Sequence, residues 1–495
     1  MAKDVHPPRG MRDFLPADKS RRDNILTRIR ETYLSHGFQE IETPAMEDLE
    51  RLTSGQGGDN EKLAFRVMKR GEELERALGA SSNSTDGLAD LGLRYDLTVP
   101  LTRYYATNRA KLPTVFKALQ TGPVWRAERP QKGRYRQFVQ CDIDIIGDAS
   151  ELAEIELLNA SLDALAAIGL SDATIRVNHR VLLDGFSRSA EIPPENRPSA
   201  LVELDKLDKK PLTEVLNELV KLSVNQQALM KAIYEQIRPS LEAQKTVVDQ
   251  INEMLKPTID AAIRNISLAA NPKFQALKQL QAEASFETLR EIAGAQARDL
   301  QSPSAVKESV EVGDEREVPA PRNVSPEEAM RDLLKIKDAI ETRHGKGKLR
   351  FDPTLVRGMG YYTGPIFEIE HPGSGSSIGG GGRYDGMVGR WLGQDAPAVG
   401  ISIGFERAVD LVAEDASADP MALVLVLNST SADCVGNALR VQAEAIAAGY
   451  RVRLEQRPKK LGNLLEVMQQ QGFGSWAAVG EESVRFADLE VKPLG

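Results

Sequence analysis

Residues 121–147 read TGPVWRAERPQKGRYRQFVQCDIDIIG, and this stretch decides the fold. An apolar entry (Pro123, Val124, Trp125) runs into a cationic, turn-rich middle, RPQKGRYR. The exit alternates, with Phe138, Gln140, Asp142 and Asp144 at period two. The pattern predicts a β-hairpin whose second strand carries Gln140, Asp142 and Asp144 on one face, because residues two apart on a strand share a side. Arg126, Arg129, Lys132, Arg134 and Arg136 face one acid, Glu128, between residues 121 and 140. A polar, acidic face beside a cationic loop makes a poor core. It makes a floor for a pocket that holds a polyphosphate and an amine together. Taken alone, an exposed hairpin with solvated charges accounts for the same residues equally well.

The totals bound the alternatives. A length of 495 residues predicts about three domains. A net charge of −9 argues against a protein that coats nucleic acid, while leaving room for local basic patches. The two cysteines, Cys141 and Cys434, lie far apart and exclude a disulfide framework, which predicts a reducing, cytoplasmic setting. The five histidines show no metal-ligand spacing, so no protein-bound metal is expected. No apolar run approaches the roughly 20 residues of a membrane span, and no signal region opens the chain. A soluble protein with no membrane association is expected.

Outward from the hairpin, residues 19–35 have helical periodicity, with Ile25, Ile29, Tyr33 and Leu34 on one face, and Gly37 stops the helix. Residues 38–43 predict a short strand closed by Pro44. In LRYDLTVPLTRYY, residues 93–105, the period-two reading places Asp96 and Thr98 on one strand face; a surface aspartate is the plainer alternative. Residues 150–168 predict an amphipathic helix and 173–178 a strand. From about residue 183 the composition turns helix-forming, and residues 301–324 are charged without apolar period, which predicts a flexible linker. Ser325-Pro326-Glu327-Glu328 restarts a helix with a capping box. Two glycine-rich stretches follow, LRFDPTLVRGMGYYTGPIFEIE (349–370) and IGGGGRYDG (378–386), where glycines let the backbone come close to a ligand. Neither is a P-loop or a dinucleotide fingerprint. In APAVGISIGFERAVDLV (396–412) a small-residue strand enters a helix and sets Arg407 near its start, where an anion would offset the added positive charge. A surface partner for a carboxylate is the other reading of Arg407. The last segment alternates strands and helices from ALVLVL (422–427), which predicts a small parallel α/β domain.

Together these motifs resemble the class II aminoacyl-tRNA synthetases, and closely the histidyl-tRNA synthetases. The strand ending at Pro44, RAERPQKGRYRQF and GISIGFER resemble the three class motifs, and RGMGYYTG with GGGRYDG resemble the histidine-specific pair. The resemblance implies an α+β catalytic core with a mostly antiparallel sheet (1–182 and 348–412), an all-helical insertion (183–347, its linker near 301–324) and an anticodon-binding-like α/β domain (420–495), shortened at its end. It implies a histidine–tRNA ligase that makes histidyl-adenylate and pyrophosphate from ATP, then charges tRNA(His). Asp96 and Thr98 would hold the α-amino group of L-histidine, and Gln140 and Arg357 its carboxylate. Asp144 and Tyr362 would read the imidazole, with Tyr361 and Tyr384 completing the pocket. Arg126 would bind the α-phosphate of ATP and Arg407 the γ-phosphate, Mg²⁺ entering on the nucleotide. Glu128, Arg134 and Phe138 would sit at the adenine end, and Gln131 would face the tRNA acceptor. Arg357, Gln140 and Arg126 would carry the chemistry. A homodimer in the cytoplasm is implied.

The chain departs from the family's usual pattern at Gly360, where relatives more often have Asp. The alternative function is a histidine-binding regulatory subunit of ATP phosphoribosyltransferase. Such paralogues usually lose parts of the ATP motifs, whereas Arg126, Glu128, Arg357 and Arg407 all stand in this chain. A pure RNA- or partner-binding module would not explain three arginines around a glycine-lined pocket.

Overall fold

The computed structural model describes residues 5–53, 63–79, 86–130, 133–189, 192–204, 215, 218–219, 323–352, 355–358, 362–393, 396–413 and 419–494. Most of the expected helical insertion, together with Gln131, Gly360 and Tyr361, lies outside the described residues. The chain forms two compact units: Met1–Met11 with Leu26–Val412, and Arg12–Ile25 with Ala413–Gly495.

The larger unit is built on an eight-stranded sheet and a small three-stranded one. The strands, in chain order, are β1 (Gln39–Glu40), β2 (Met46–Asp48), β3 (Arg66–Met68), β4 (Ala89–Leu93), β5 (Phe116–Trp125), β6 (Gln137–Ile146), β7 (Thr174–His179), β8 (Leu349–Phe351), β9 (Pro365–Glu370), β10 (Gly379–Arg383) and β11 (Ala398–Gly404). The large sheet runs β1-β5-β6-β11-β10-β9-β7-β8, and the small one β2-β4-β3. Only the two outer pairings of the large sheet, β1 with β5 and β7 with β8, are parallel. The sheet is therefore mostly antiparallel, as the resemblance implied.

The hairpin of β5 and β6 forms next to the β1 edge of that sheet, in register from Phe116 opposite Ile146 to Trp125 opposite Gln137. Alternation sends Cys141, Ile143 and Ile145 into the core and Gln140, Asp142 and Asp144 to the other face. The helix Leu152–Ala167 buries Leu157, Leu158, Leu162 and Leu165. Against it packs the helix Pro326–His344, which buries Ala329, Leu333, Ile336 and Ile340 at helical spacing. Its start is the expected capping box: the Glu328 amide donates to the Ser325 hydroxyl at 3.2 Å, and the Ser325 amide donates to the Glu328 carboxylate at 2.8 Å.

Three local expectations need correction. The first helix spans Pro16–Ser35 and buries Ile29 and Tyr33, but Leu34 is exposed. The strand expected over 38–43 pairs only at Gln39 and Glu40. Asp96 and Thr98 do not share a strand face. β4 ends at Leu93, and a helix, Thr98–Asn108, begins at Thr98. Pro100 in its first turn needs no intrahelical donor, so the helix wins over the strand.

The second unit carries a sheet of order β13-β12-β14-β15: β12 (Asp419–Leu427), β13 (Arg451–Gln456), β14 (Phe473–Val479) and β15 (Lys492–Pro493). β12 is parallel to β13 and β14, as the alternation predicts, and β15 adds an antiparallel edge. Successive β12 residues serve two cores: Leu423, Leu425 and Leu427 pack with the helix Ala432–Ala447, whereas Ala422, Val424 and Val426 pack with Met468 and Phe473.

Candidate active site

Register lines up two rows of residues across the large sheet. One row, from β5 to β7, is Gln120, Asp142, Ser402, Gly380, Glu368, Arg176. The next is Ala118, Asp144, Gly400, Gly382, Ile366, Asn178. Directly opposed residues share a face, so the carboxylates of β6 and the small residues of β10 and β11 form one floor.

The floor has little side-chain substance of its own at its middle. A Cβ at Gly400 would lie 1.9 Å from Oδ1 of Asp144, and one at Gly382 would lie 3.0 Å from the Tyr362 ring. A Cβ at Gly380 would lie 1.8 Å from Nη1 of Arg357. The glycine-rich stretches therefore make room for Asp144, Tyr362 and Arg357, three residues expected in the pocket. Gly358, at φ +55°, turns the chain so that the Tyr362 amide donates to the Gly358 carbonyl at 2.9 Å.

The end where the resemblance would place histidine is acidic. Tyr384 is buried and donates its hydroxyl to Oδ1 of Asp144 at 2.6 Å. Its neighbours hold it there. Arg383 makes a bidentate pair with Glu154 at 2.6 and 2.8 Å, and Asp385 accepts from the Ala398 amide at 2.8 Å. Burial, with Asp96 nearby, raises the Asp144 carboxyl to about 7 despite the Tyr384 hydrogen bond. Burial and the Asp144 charge push Asp142 well above the usual range. Burial raises Asp96 as well, while the amides of Val99 and Thr98 and the charge of Arg126 hold it down. Asp96 accepts the Val99 amide at 3.1 Å at the start of the helix Thr98–Asn108. Three acids thus share a buried space, a medium that favours a cationic ligand. Gln140 donates from Nε2 to Ser402 at 3.1 Å, and among the described residues its buried Oε1 has no hydrogen-bond partner.

The other end is cationic. Arg126 donates from Nε to the Tyr95 carbonyl at 3.0 Å and lies 5.0 Å from the center of the Phe138 ring. Arg134 pairs with Glu128 at 3.2 Å, and both line an open cavity of about 520 Å³ with Arg129 and Pro130. Arg407, in the helix Phe405–Leu411, donates to the carbonyls of Ser377 and Gly133. Burial and the neighbouring Arg134 and Arg357 lower its pKa. Arg357 donates from Nη1 to the Gly379 carbonyl at 3.3 Å and pairs through Nε with Glu368 at 3.0 Å. The arrangement can take an anion at one end and an amine at the other. Sequence reading left Asp142, Ser402 and Glu368 without roles. Asp142 was visible in the alternation of β6; Ser402 and Glu368 reach the site only through the pairing of distant strands.

The chain matches the family model described as Histidyl-tRNA synthetase over residues 10–267 and 258–408. It is 44% identical to the histidine–tRNA ligase of Leifsonia xyli subsp. xyli over 499 residues, covering 100% of this chain and 99% of that one. Its fold is similar to a solved histidyl-tRNA synthetase from Nostoc sp. PCC 7120, with TM-score 0.67 at 23% identity, over 99% of this chain and 95% of the other. It is also similar to a Bacillus halodurans protein described as an ATP phosphoribosyltransferase regulatory subunit/histidyl-tRNA synthetase, with TM-score 0.64 at 19% identity, over 93% of this chain and 96% of the other.

Proposed function

The chain belongs to the histidyl-tRNA synthetase family, and from that premise we propose how its cleft carries out histidine–tRNA ligation. The observation that carries the reading is the shared floor: buried acids on β6 and the guanidinium of Arg357 stand on one glycine-rich face. L-histidine lies over that floor. Asp96 and Thr98, at the start of their helix, take its α-ammonium. Among the described residues the buried Oε1 of Gln140 has no hydrogen-bond partner; an acceptor suits an ammonium better than a carboxylate, so Gln140 moves from the carboxylate to the ammonium on this reading. Asp144, oriented by Tyr384, and Tyr362 take the imidazole nitrogens, and Tyr361 closes the pocket. An isostere without those nitrogens would leave buried groups unpaired, a penalty that can reject by about 10⁴-fold.

ATP lies at the cationic end. Arg126 holds the α-phosphate, Arg407 the γ-phosphate, and Glu128, Arg134 and Phe138 the adenine. The lining there is guanidinium, with Glu128 paired to Arg134. Such a lining fits an anion that carries its own cation, so Mg²⁺ enters on the nucleotide. A carboxylate oxygen of histidine attacks the α-phosphorus, the bond to the bridging oxygen breaks, and pyrophosphate leaves. Arg357 and Arg126 stabilise the charge on the α-phosphoryl oxygens, and no protein nucleophile is required. The terminal hydroxyl of tRNA(His) then attacks the carbonyl carbon and AMP leaves, with Gln131 near the acceptor end. Segment 183–347 is read as an insertion between the two halves of the core, and 420–495 as the anticodon-binding-like domain. The protein works as a cytoplasmic homodimer. Among the described residues, no helix is long and apolar enough to cross a membrane.

Histidine-dependent exchange of labelled pyrophosphate into ATP, followed by charging of tRNA(His) in the same tube, tests the reading. Exchange with charging is expected. Histidine binding without exchange would replace the ligase by a regulatory subunit.

A further inference from the structure

Arg357 lies between β8 and β9 and is itself in neither a helix nor a strand. A guanidinium that must meet a phosphoryl group within a fraction of an ångström needs a seat. The large sheet supplies one. Arg176 of β7, Glu368 of β9 and Gly380 of β10 are direct neighbours in one cross-strand row. Gly380 contributes space, since a Cβ there would strike Nη1 of Arg357 at 1.8 Å. Glu368 contributes charge and direction. Its Oε2 takes Nε of Arg357 at 3.0 Å while its Oε1 takes Nη2 of Arg176 at 2.5 Å.

Arg176 is itself immobilised. It is 5% exposed and pairs through Nη1 with Asp352 at 2.8 Å, with Glu370 also within 2.9 Å. Glu368 is therefore held from behind by a buried cation and presents its second oxygen forwards. Two nitrogens of the Arg357 guanidinium are thus engaged, Nε by Glu368 and Nη1 by the Gly379 carbonyl. Glu368 also offsets the repulsion between Arg357 and Arg407.

We infer that Glu368, backed by Arg176 and given room by Gly380, is the positioning residue that sets Arg357 for adenylate formation. The inference rests on the catalytic reading of Arg357 given above, and the experiment separates the two. Full-length protein carrying Glu368→Gln, Arg357→Ala or both is assayed for single-turnover adenylate formation and for pyrophosphate exchange, with thermal melting as a folding check. Glu368→Gln should lower kcat for exchange by about 10- to 100-fold, the scale of a misplaced catalytic group, with KM for histidine nearly unchanged. In the Arg357→Ala background the same change should cost little more, because the two act as a unit. Glu368→Asp, which keeps the charge but draws it back by one methylene, should fall between wild type and Glu368→Gln and serves if the glutamine variant does not fold. Wild-type kinetics for both Glu368 variants, beside a slow Arg357→Ala, would overturn the inference alone. Full additivity in the double variant would also overturn it, by making Glu368 a general structural residue. An Arg357→Ala protein as fast as wild type would overturn the catalytic reading and this inference with it.

Discussion

The eight-stranded sheet and the sheet of the C-terminal unit handle strand alternation in opposite ways. In β12 of the C-terminal unit, every residue from Ala422 to Leu427 is buried and apolar, and odd and even positions feed two separate cores. In β6 of the larger unit, the odd residues Cys141, Ile143 and Ile145 are core, while Gln140, Asp142 and Asp144 are equally buried and polar. The first strand exploits alternation for packing on two sides. The second gives up one side to groups that burial disfavours. The difference teaches where to look for chemistry: in the strand whose second face is buried against its own solvation preference.

That contrast can be broken at several points, from the larger effect to the smaller. Asp144 has its carboxyl raised to about 7 from an ordinary 3.8. A carboxyl raised in the folded state adds stability below about pH 4, and that stability is lost as pH rises towards 7. The shift corresponds to as much as about 4 kcal/mol. The unfolding free energy of ligand-free protein should therefore fall less steeply from pH 4 to pH 8 in Asp144→Asn than in wild type, and histidine should stabilise wild type more at the upper end. Parallel curves would mean that the carboxylate is not strained by burial. Leu425→Ala in the apolar strand should cost about 3 kcal/mol through lost burial and a cavity, followed by unfolding at Trp476 of β14. Pyrophosphate exchange should be unchanged; a proportional loss of exchange would erase the division between the sheets.

Gly400→Ala inserts a Cβ 1.9 Å from Asp144. Displacing that carboxylate should reduce histidine-dependent exchange by about 100-fold with a modest change in melting temperature. Exchange kinetics near wild type would show that the floor tolerates a side chain. The smallest effect is expected at Ser431, whose hydroxyl accepts the Cys434 amide at 3.3 Å to cap the helix Ala432–Ala447. Ser431→Ala should cost about 1 kcal/mol, measured in the same Trp476 unfolding experiment, without touching exchange.

Much of this was legible in the sequence because the signals are local. The period-two run QFVQCDID fixed β6, the alternation after residue 420 fixed the parallel sheet, and Ser325 to Glu328 fixed a helix start. Asp96 and Thr98 misled because period two over three residues also fits the turn that opens a helix, and Pro100 was the cue for the latter. The rows across the floor were not legible. They join β6 to β11, β10, β9 and β7; Asp142 and the Ser402 opposite it are 260 positions apart (402 − 142), and nothing local sets which residue of one strand stands opposite which of another. Glu368 looked like an ordinary strand glutamate because its partners, Arg176 and Arg357, come from two other segments.

The bare floor has a consequence for how such a pocket can change. Its contours are drawn by side chains that arrive from three segments: Asp144 from β6, Arg357 and Tyr362 from the connection between β8 and β9, and Tyr384 from just after β10. Each can be exchanged for another shape without altering the backbone beneath. The sheet acts as a blank plate on which an occupant's outline is set by pieces brought from elsewhere, so a new outline can arise in those segments while the strands below keep their pairing.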